Sequence, residues 1–273
     1  MSILFSGDFH ANSRGELRNI TKDALLNNFG GEIYNSINYH IILGDCGFLW
    51  PDNEEGDKKN YEVLAERNFP ILCVMGNHEP IYGVKKKQEI DMGFENTVYK
   101  INDNPLIVFL KRGKVYTIEG IKFLVLGGAL SIDKYRRTPN RSWWEQEYWS
   151  KKEKKELFEL LENDNIFDCV ISHTGPWHIN VRLFHRSYPL SIGGNYDKVF
   201  DEVSKLNDEV HNNIQFREWW CGHYHNDIYH YNKNPKHSYQ YLYYTTKIMD
   251  KIKNKIRVRN EYGLKRNQIK EEL

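Results

Sequence analysis

Short apolar runs, each closed by a turn residue or a polar cluster, set the pattern of this chain. Ile3-Leu4-Phe5-Ser6, Tyr39 to Leu43, Ile71 to Met75, Cys169 to Ile171 and Phe216 to Cys221 are too short for helices and read as buried strands. Between the first three lie segments of helical spacing: Leu17 to Phe29, stopped by Gly30-Gly31, and Tyr61 to Arg67. Strand, helix, strand, helix, strand predicts parallel βαβ units. The middle of the chain differs. Leu106 to Leu110, Val115 to Ile118 and Ile121 to Leu126 follow one another across turns at Arg112-Gly113 and Glu119-Gly120, which predicts antiparallel hairpins. Lys151 to Asn163 and Val199 to Val210 have amphipathic helical spacing, and Tyr239 to Thr246 alternates as a sheet element. Residues 131–149 read as a loop, and Ser187 to Asn195, with Pro189 and Gly193-Gly194, as a mobile one.

Composition narrows the class. Lys+Arg is 38 against Asp+Glu 37, so global charge predicts no polyanionic partner, although a local patch stays open. No apolar run is long enough to span a membrane, and the N-terminus shows neither a basic leader nor a cleavage pattern. The four cysteines, Cys46, Cys73, Cys169 and Cys221, lie in or beside apolar runs without a Cys-x-x-Cys pair, so free thiols in a reducing, cytoplasmic compartment are expected. Polar clusters spread from residue 8 to residue 225 favour one domain, drawn at 1–246. The remaining 247–273 is a basic tail, expected to be solvated or part of the domain edge.

The chemistry sits where the apolar runs end. Asp8-Phe9-His10, Gly44-Asp45, Gly76-Asn77-His78-Glu79, Ser172-His173 and Gly222-His223-Tyr224-His225 together supply two Asp, one Asn and five His. One Asp-x-His alone is more often a turn than a ligand pair. Five clusters in this order, each at a strand end, instead suggest the donors of a two-metal hydrolytic site plus one spare histidine. Mixed carboxylate and imidazole donors suit Mn, Fe, Zn, Co or Ni. Two such ions about 3.5–4 Å apart polarise phosphoryl oxygens and make hydroxide available near neutral pH. A glycine ahead of a cluster allows a sharp turn away from the sheet.

The order D-x-H, G-D, G-N-H-E, H, G-H-x-H resembles the calcineurin-like metallophosphoesterase superfamily, in its small bacterial and phage type. The resemblance implies a four-layer αββα sandwich of mixed sheets with a dinuclear metal site at the carboxyl ends of the strands. By the same resemblance, Asp8, His10 and His225 would hold one divalent ion, and Asn77, His173 and His223 the other, with Mn or Fe favoured. Asp45 and a water or hydroxide would bridge them. His78 would stay off the metals and act as general acid or stabilise transition-state charge, with Glu79 orienting it. The chain departs from many members in carrying Phe48 where G-D-x-x-[D/E] has an acid. It also lacks the Asp-Arg-Gly of the protein phosphatases, which leaves that activity an alternative.

On the substrate side, Gly127-Gly128-Ala129, Ser131, Asp133-Lys134, Arg136-Arg137 and Trp143-Trp144 form one loop. Arginine forks grip phosphate, so Arg136 or Arg137 is the expected substrate contact, and a Trp face can stack a base. His178 can approach the site, and Arg182, His185 and Arg186 can form a lid with Gly193-Gly194. The expected activity is phosphodiester or phosphomonoester hydrolysis of a small nucleotide-like substrate by attack of the bridging hydroxide. A nuclease, a protein phosphatase and a non-catalytic metal-binding scaffold are the alternatives. Oligomeric state is left open.

Overall fold

The computed structural model describes residues 2–10, 16–49, 54–131, 133–184, 202–233, 236–252 and 255–259. His185, Arg186, the glycine-containing segment 187–195 and the end of the basic tail from 260 onward lie outside them.

Two mixed sheets face each other. The larger one contains β1 (Ser2–Ser6), β2 (Ile37–Ile42), β3 (Ile71–Cys73), β4 (Gln88–Ile90), β5 (Val98–Asp103), β6 (Leu106–Phe109), β13 (Lys247–Ile252) and β14 (Lys255–Arg259), in the order β14-β13-β1-β2-β3-β6-β5-β4. The smaller one contains β7 (Lys114–Ile118), β8 (Ile121–Val125), β9 (Cys169–Ile171), β10 (Glu218–Cys221), β11 (Ile228–Lys233) and β12 (Lys236–Tyr241), in the order β11-β12-β10-β9-β8-β7. The centre of each sheet is parallel: β1, β2, β3 and β6 in one, β8, β9, β10 and β12 in the other. The helices are α1 (Lys22–Ser36), α2 (Glu54–Leu64), α3 (Ile81–Lys85), α4 (Lys151–Asn163), α5 (Trp177–Phe184) and α6 (Glu202–Asn213).

Strand periodicity explains the layering, because successive side chains leave opposite faces of a strand. Ile3 and Phe5 of β1 join Phe123 and Val125 of β8 in the core between the sheets, beside Trp220 of β10. Leu4, between them, points the other way and packs with Leu25 and Phe29 of α1. Leu124 of β8 packs outward with Leu157 and Leu161 of α4 and with Val203 and Leu206 of α6. Helix, sheet, sheet, helix is thus the layer order, and the expected αββα sandwich of mixed sheets is what the chain forms.

Some expectations change. The helix from Leu17 is a 3-10 turn, Glu16–Ile20, followed by α1, whose N-cap Thr21 accepts from Ala24 N. Gly30-Gly31 does not stop α1. Gly30 takes φ 77° and kinks it, and the helix continues to Ser36. Residues 106–118 are not a hairpin. β6 pairs with β3 and β5, and the turn at Arg112-Gly113 carries the chain to the other sheet, where only β7 and β8 form the hairpin. The basic run from Lys247 is not a solvated end throughout. β13 pairs antiparallel with β1 and buries Ile248 on the α1 side and Met249 between the sheets, because both faces of the sheet are covered there.

Candidate metal centre

Every polar cluster follows the carboxyl end of a strand. Asp8 and His10 follow β1, Asp45 follows β2, Asn77 and His78 follow β3, His173 follows β9, and His223 and His225 follow β10. Both sheets thus feed the same edge, as parallel α/β architectures do for ligand sites. Loop-to-loop backbone bonds hold the edge together: Phe9 N and His10 N donate to Asp45 O, and Gly222 N donates to His173 O.

The two carboxylates are held alike. His223 N donates to Asp8 Oδ1 at 2.6 Å, and His78 N donates to Asp45 Oδ1 at 2.9 Å. The remaining oxygens, both Oδ2, meet imidazoles. Asp8 Oδ2 lies 3.0 Å from His225 Nε2 and 3.9 Å from His10 Nε2. Asp45 Oδ2 lies 3.3 Å from His173 Nε2, 3.5 Å from His78 Nε2 and 3.9 Å from His10 Nε2. His10 and His225 bring their Nε2 atoms within 3.3 Å of each other. Asn77 Oδ1 is 3.0 Å from His173 Nε2, and the His223 ring centroid is 5.0 Å from that of His173. All eight residues, seven expected ligands and His78, therefore meet in one place.

The donors fit divalent cations. His173 Nδ1 is 2.8 Å from Leu43 O, to which it donates, so Nε2 is the nitrogen that faces Asn77 Oδ1 and Asp45 Oδ2, with a proton or a cation between them. Asp8 Oδ2 is buried and accepts no well-formed hydrogen bond. Asp8, His10 and His225 form one group able to hold an ion, and Asp8, Asp45 and His173 another. So many lone pairs converging in a buried site repel unless a cation or proton lies among them. Electrostatics of the bare site agree. Burial opposes charge on His173, but Asp45 and Asp8 outweigh it and raise its pKa to about 10. Asp45 is held well below the usual carboxylate range, His173 and His78 outweighing its burial. Burial and His173 press His223 down to about 3.

The glycines act differently from the expectation. Among Gly7, Gly44, Gly76 and Gly222, only Gly44 has positive φ, 91°. The other three make room: a Cβ on Gly7 would strike Leu242 O, on Gly76 Asp45 Oδ1, and on Gly222 Asp8 Oδ1. Left-handed backbone falls instead on the site residues themselves, His10 (φ 39°), Asp45 (49°), His223 (70°) and His225 (49°). Such conformations cost of order 1–3 kcal/mol each and cluster at functional sites.

The loop at 131–149 reaches the centre through Arg137. Its Nη1 and Nη2 lie 2.9 and 3.1 Å from His78 Nδ1 and Nε2. Arg137 Nε donates to Asp133 and Nη1 to Ser142 O. Burial, with Arg137 and other cationic neighbours outweighing Asp45, leaves His78 at about 4. Arg136 is exposed and lies over Tyr135. Trp144 is buried and Lys134 covers Trp143, so neither tryptophan offers the open face expected for a base. Tyr243, at the end of β12, stacks on His225 at 4.5 Å and 8° instead. Glu79 is engaged by Gly76 N and Asp45 N, tying two loops together, rather than orienting His78 as expected. His178 pairs with Asp208 of α6 and packs on His211.

Sequence reading missed Ser131 and Glu147 as supports of the centre. Asn77 Nδ2 donates to Ser131 Oγ at 3.0 Å, and Ser131 Oγ donates to Glu147 Oε1. Burial lifts the Glu147 carboxyl to about 7, against the bonds from Ser131 and the charge of Arg137. No spacing rule links positions 77, 131 and 147; only the fold brings them together.

A two-sheet sandwich with carboxylates, imidazoles and one amide converging at its strand ends defines a metal-dependent hydrolase. The family model described as calcineurin-like phosphoesterase matches residues 1–227, and the chain belongs to that family of phosphoester hydrolases. No curated protein matches the chain. Among solved structures, the chain is similar to a phosphopantetheinyl hydrolase from Mycobacterium tuberculosis, at 14% identity and TM-score 0.46, covering 89% of each chain. It is also similar to GAP50, the anchor in the inner membrane complex of Plasmodium, at 10% identity and TM-score 0.51, covering 94% of this chain and 83% of that one. A structure described as a 5'-nucleotidase from Staphylococcus aureus has 14% identity and TM-score 0.46, with 95% of this chain and 53% of that one covered. At these identities the likeness concerns the fold alone. No described helix is long and apolar enough to cross a membrane.

Proposed function

We propose that the chain hydrolyses a small phosphoester, nucleotide-like in preference, with Asp8, His10 and His225 holding one divalent cation and Asn77, His173 and His223 a second. Asp45 is shared between them. Bound cations would supply Lewis acidity toward a phosphoryl oxygen and ionise water near neutral pH. The chain's own residues do the rest. His78 faces Asp45 Oδ2 at 3.5 Å and donates an N–H to the leaving oxygen. A neutral imidazole accepts at one nitrogen and donates from the other, so only one of the two Arg137 contacts is a hydrogen bond and the ring N–H is left for the leaving oxygen. Arg137, rather than Arg136, grips a non-bridging phosphoryl oxygen.

The single observation that carries this reading is the convergence of the Asp8 and Asp45 Oδ2 atoms on four imidazoles, with each Oδ1 tied to a loop backbone N–H. Tyr243 on His225, and exposed Tyr244 against Tyr243, support a substrate with a planar ring. Mn or Fe is favoured by the family pattern, and four buried free cysteines support a reducing, cytoplasmic setting.

An activity screen of the Mn-loaded chain against mono- and diesters, cyclic nucleotides, nucleic acid and a phosphopeptide tests the reading, with His78→Ala as control. Turnover of a small ester, lost in His78→Ala with cation content intact, is expected. Cleavage confined to phosphopeptide or to nucleic acid would replace the substrate assignment by phosphatase or nuclease. Cation binding without any turnover would favour a scaffold, a role in keeping with that of the Plasmodium anchor.

A further inference from the structure

Asn77 is the one amide in the proposed ligand set, and an amide binds a cation only through its oxygen. Turned over, it presents an NH2 group and repels the ion. Something has to decide which end faces the centre. Its Nδ2 donates to Ser131 Oγ at 3.0 Å. Ser131 Oγ donates to Glu147 Oε1 at 2.5 Å, and Ser131 N donates to Glu147 Oε2 at 3.0 Å. Asn77, Ser131 and Glu147 are all buried.

The polarity of this chain of bonds runs one way. In its ionised form, which prevails above about pH 7, the Glu147 carboxylate only accepts, so the Ser131 hydroxyl proton is then committed to it. The hydroxyl oxygen then has only lone pairs to offer, and only the NH2 end of Asn77 matches them. The carbonyl oxygen is thereby left facing His173 Nε2 at 3.0 Å. Glu147 is itself anchored, since Arg112 donates to the carbonyls on either side of it, Gln146 O at 3.1 Å and Tyr148 O at 2.9 Å.

We infer that Ser131 and Glu147 are positioning residues that lock the Asn77 amide with its oxygen toward the cation it shares with His173 and His223, and so set the affinity of that one site. The inference rests on the proposed ligand role of Asn77. Together with Arg137 on His78, it makes the segment between β8 and α4 a clamp on two successive residues of one cluster.

Calorimetric titration of the metal-stripped full chain with Mn²⁺ tests this. The unaltered chain is expected to take two ions. Ser131→Ala and Glu147→Gln are expected to weaken one class of site by about 10–100-fold, the usual effect of losing a ligand's supporting partner, while the other class keeps its affinity. Ser131→Thr, which retains the hydroxyl, is expected to restore the weakened class. Ser131→Ala binding both ions as tightly as the unaltered chain would overturn the inference. So would equal weakening of both classes with a matching fall in the melting temperature of the metal-free protein, which marks a merely structural role. Failure of the unaltered chain to take a second ion would overturn the ligand reading beneath it.

Discussion

Arg137 and His78 act as a pair: the two terminal nitrogens of the guanidinium lie 2.9 and 3.1 Å from the two ring nitrogens of the imidazole. The arginine is fixed from behind by Asp133 and Ser142 O, which holds its guanidinium beside His78. Arg137→Ala is expected to lower kcat/KM by about 10–100-fold, the worth of hydrogen bonds to a charged group. Arg137→Lys is expected not to rescue it, because an ammonium cannot reproduce the planar fork that bonds Asp133 and Ser142 O while reaching His78. Steady-state kinetics on the ester found by screening checks both; a lysine variant at the original rate would remove the fork from the argument.

Gly222 and Gly31 make a matched pair of alanine substitutions. A Cβ at Gly222 strikes Asp8 Oδ1, the oxygen already bonded by His223 N, whereas nothing lies within 4 Å of a Cβ at Gly31 in α1. Gly222→Ala is expected to cost about 1–3 kcal/mol through overpacking and to reduce bound cation. Gly31→Ala is expected to stabilise the chain by about 0.5–1 kcal/mol through helix propensity, with metal content unchanged. Thermal melts with elemental analysis separate the two outcomes.

Stability at acid pH should depend on Glu153. Its carboxylate takes three bonds from Arg112 and closes the capping box of α4. Burial works against the charge, but Arg112 and Ser150 outweigh it and hold the carboxyl at about 2, against 4.5 for the free group. A lowered folded pKa stabilises fully above the unfolded value, and that contribution fades as pH falls from about 4.5 toward about 2. Glu153→Gln is therefore expected to melt several degrees lower at pH 7 and to converge on the unaltered protein near pH 2–3. A constant gap across that window would show that packing, not charge, is responsible.

Cation removal should destabilise the fold and not only silence it. Four site residues adopt left-handed backbone, and two buried carboxylates crowd against imidazole nitrogens. Each site filled to about 100 times its dissociation constant adds about 2.7 kcal/mol by mass action. Chelation of both sites is expected to lower Tm by roughly 10–20 °C, on the scale of about 2–4 °C per kcal/mol for a chain near this size. Scanning calorimetry with and without chelator, followed by Mn²⁺ add-back, reads this directly.

The strand-end clusters were legible because each announces itself locally: an apolar run, then Asp8 and His10, or Gly222, His223 and His225, within a few residues. Short continuous apolar runs likewise revealed β8 and β9. What stayed hidden depends on contacts between distant segments. Lys247 to Ile252 looks like a charged tail until β1 supplies a partner for its backbone and a core for Met249. The polar strand Gln88–Ile90 is an edge, which tolerates exposed charge, so it carries no apolar signal. Ser131 and Glu147 are ordinary loop residues until Asn77 is placed beside them. The kink at Gly30 was misread as a stop because glycine serves both purposes equally well.

The pairing of β13 with β1 has a bearing on how the cation donors are held. The strand that leads to Asp8 and His10 is flanked on one side by β2 and on the other by the segment around Met249. Severing the chain ahead of Lys247 would bare that flank and loosen two of the proposed cation donors from a distance, without touching either one.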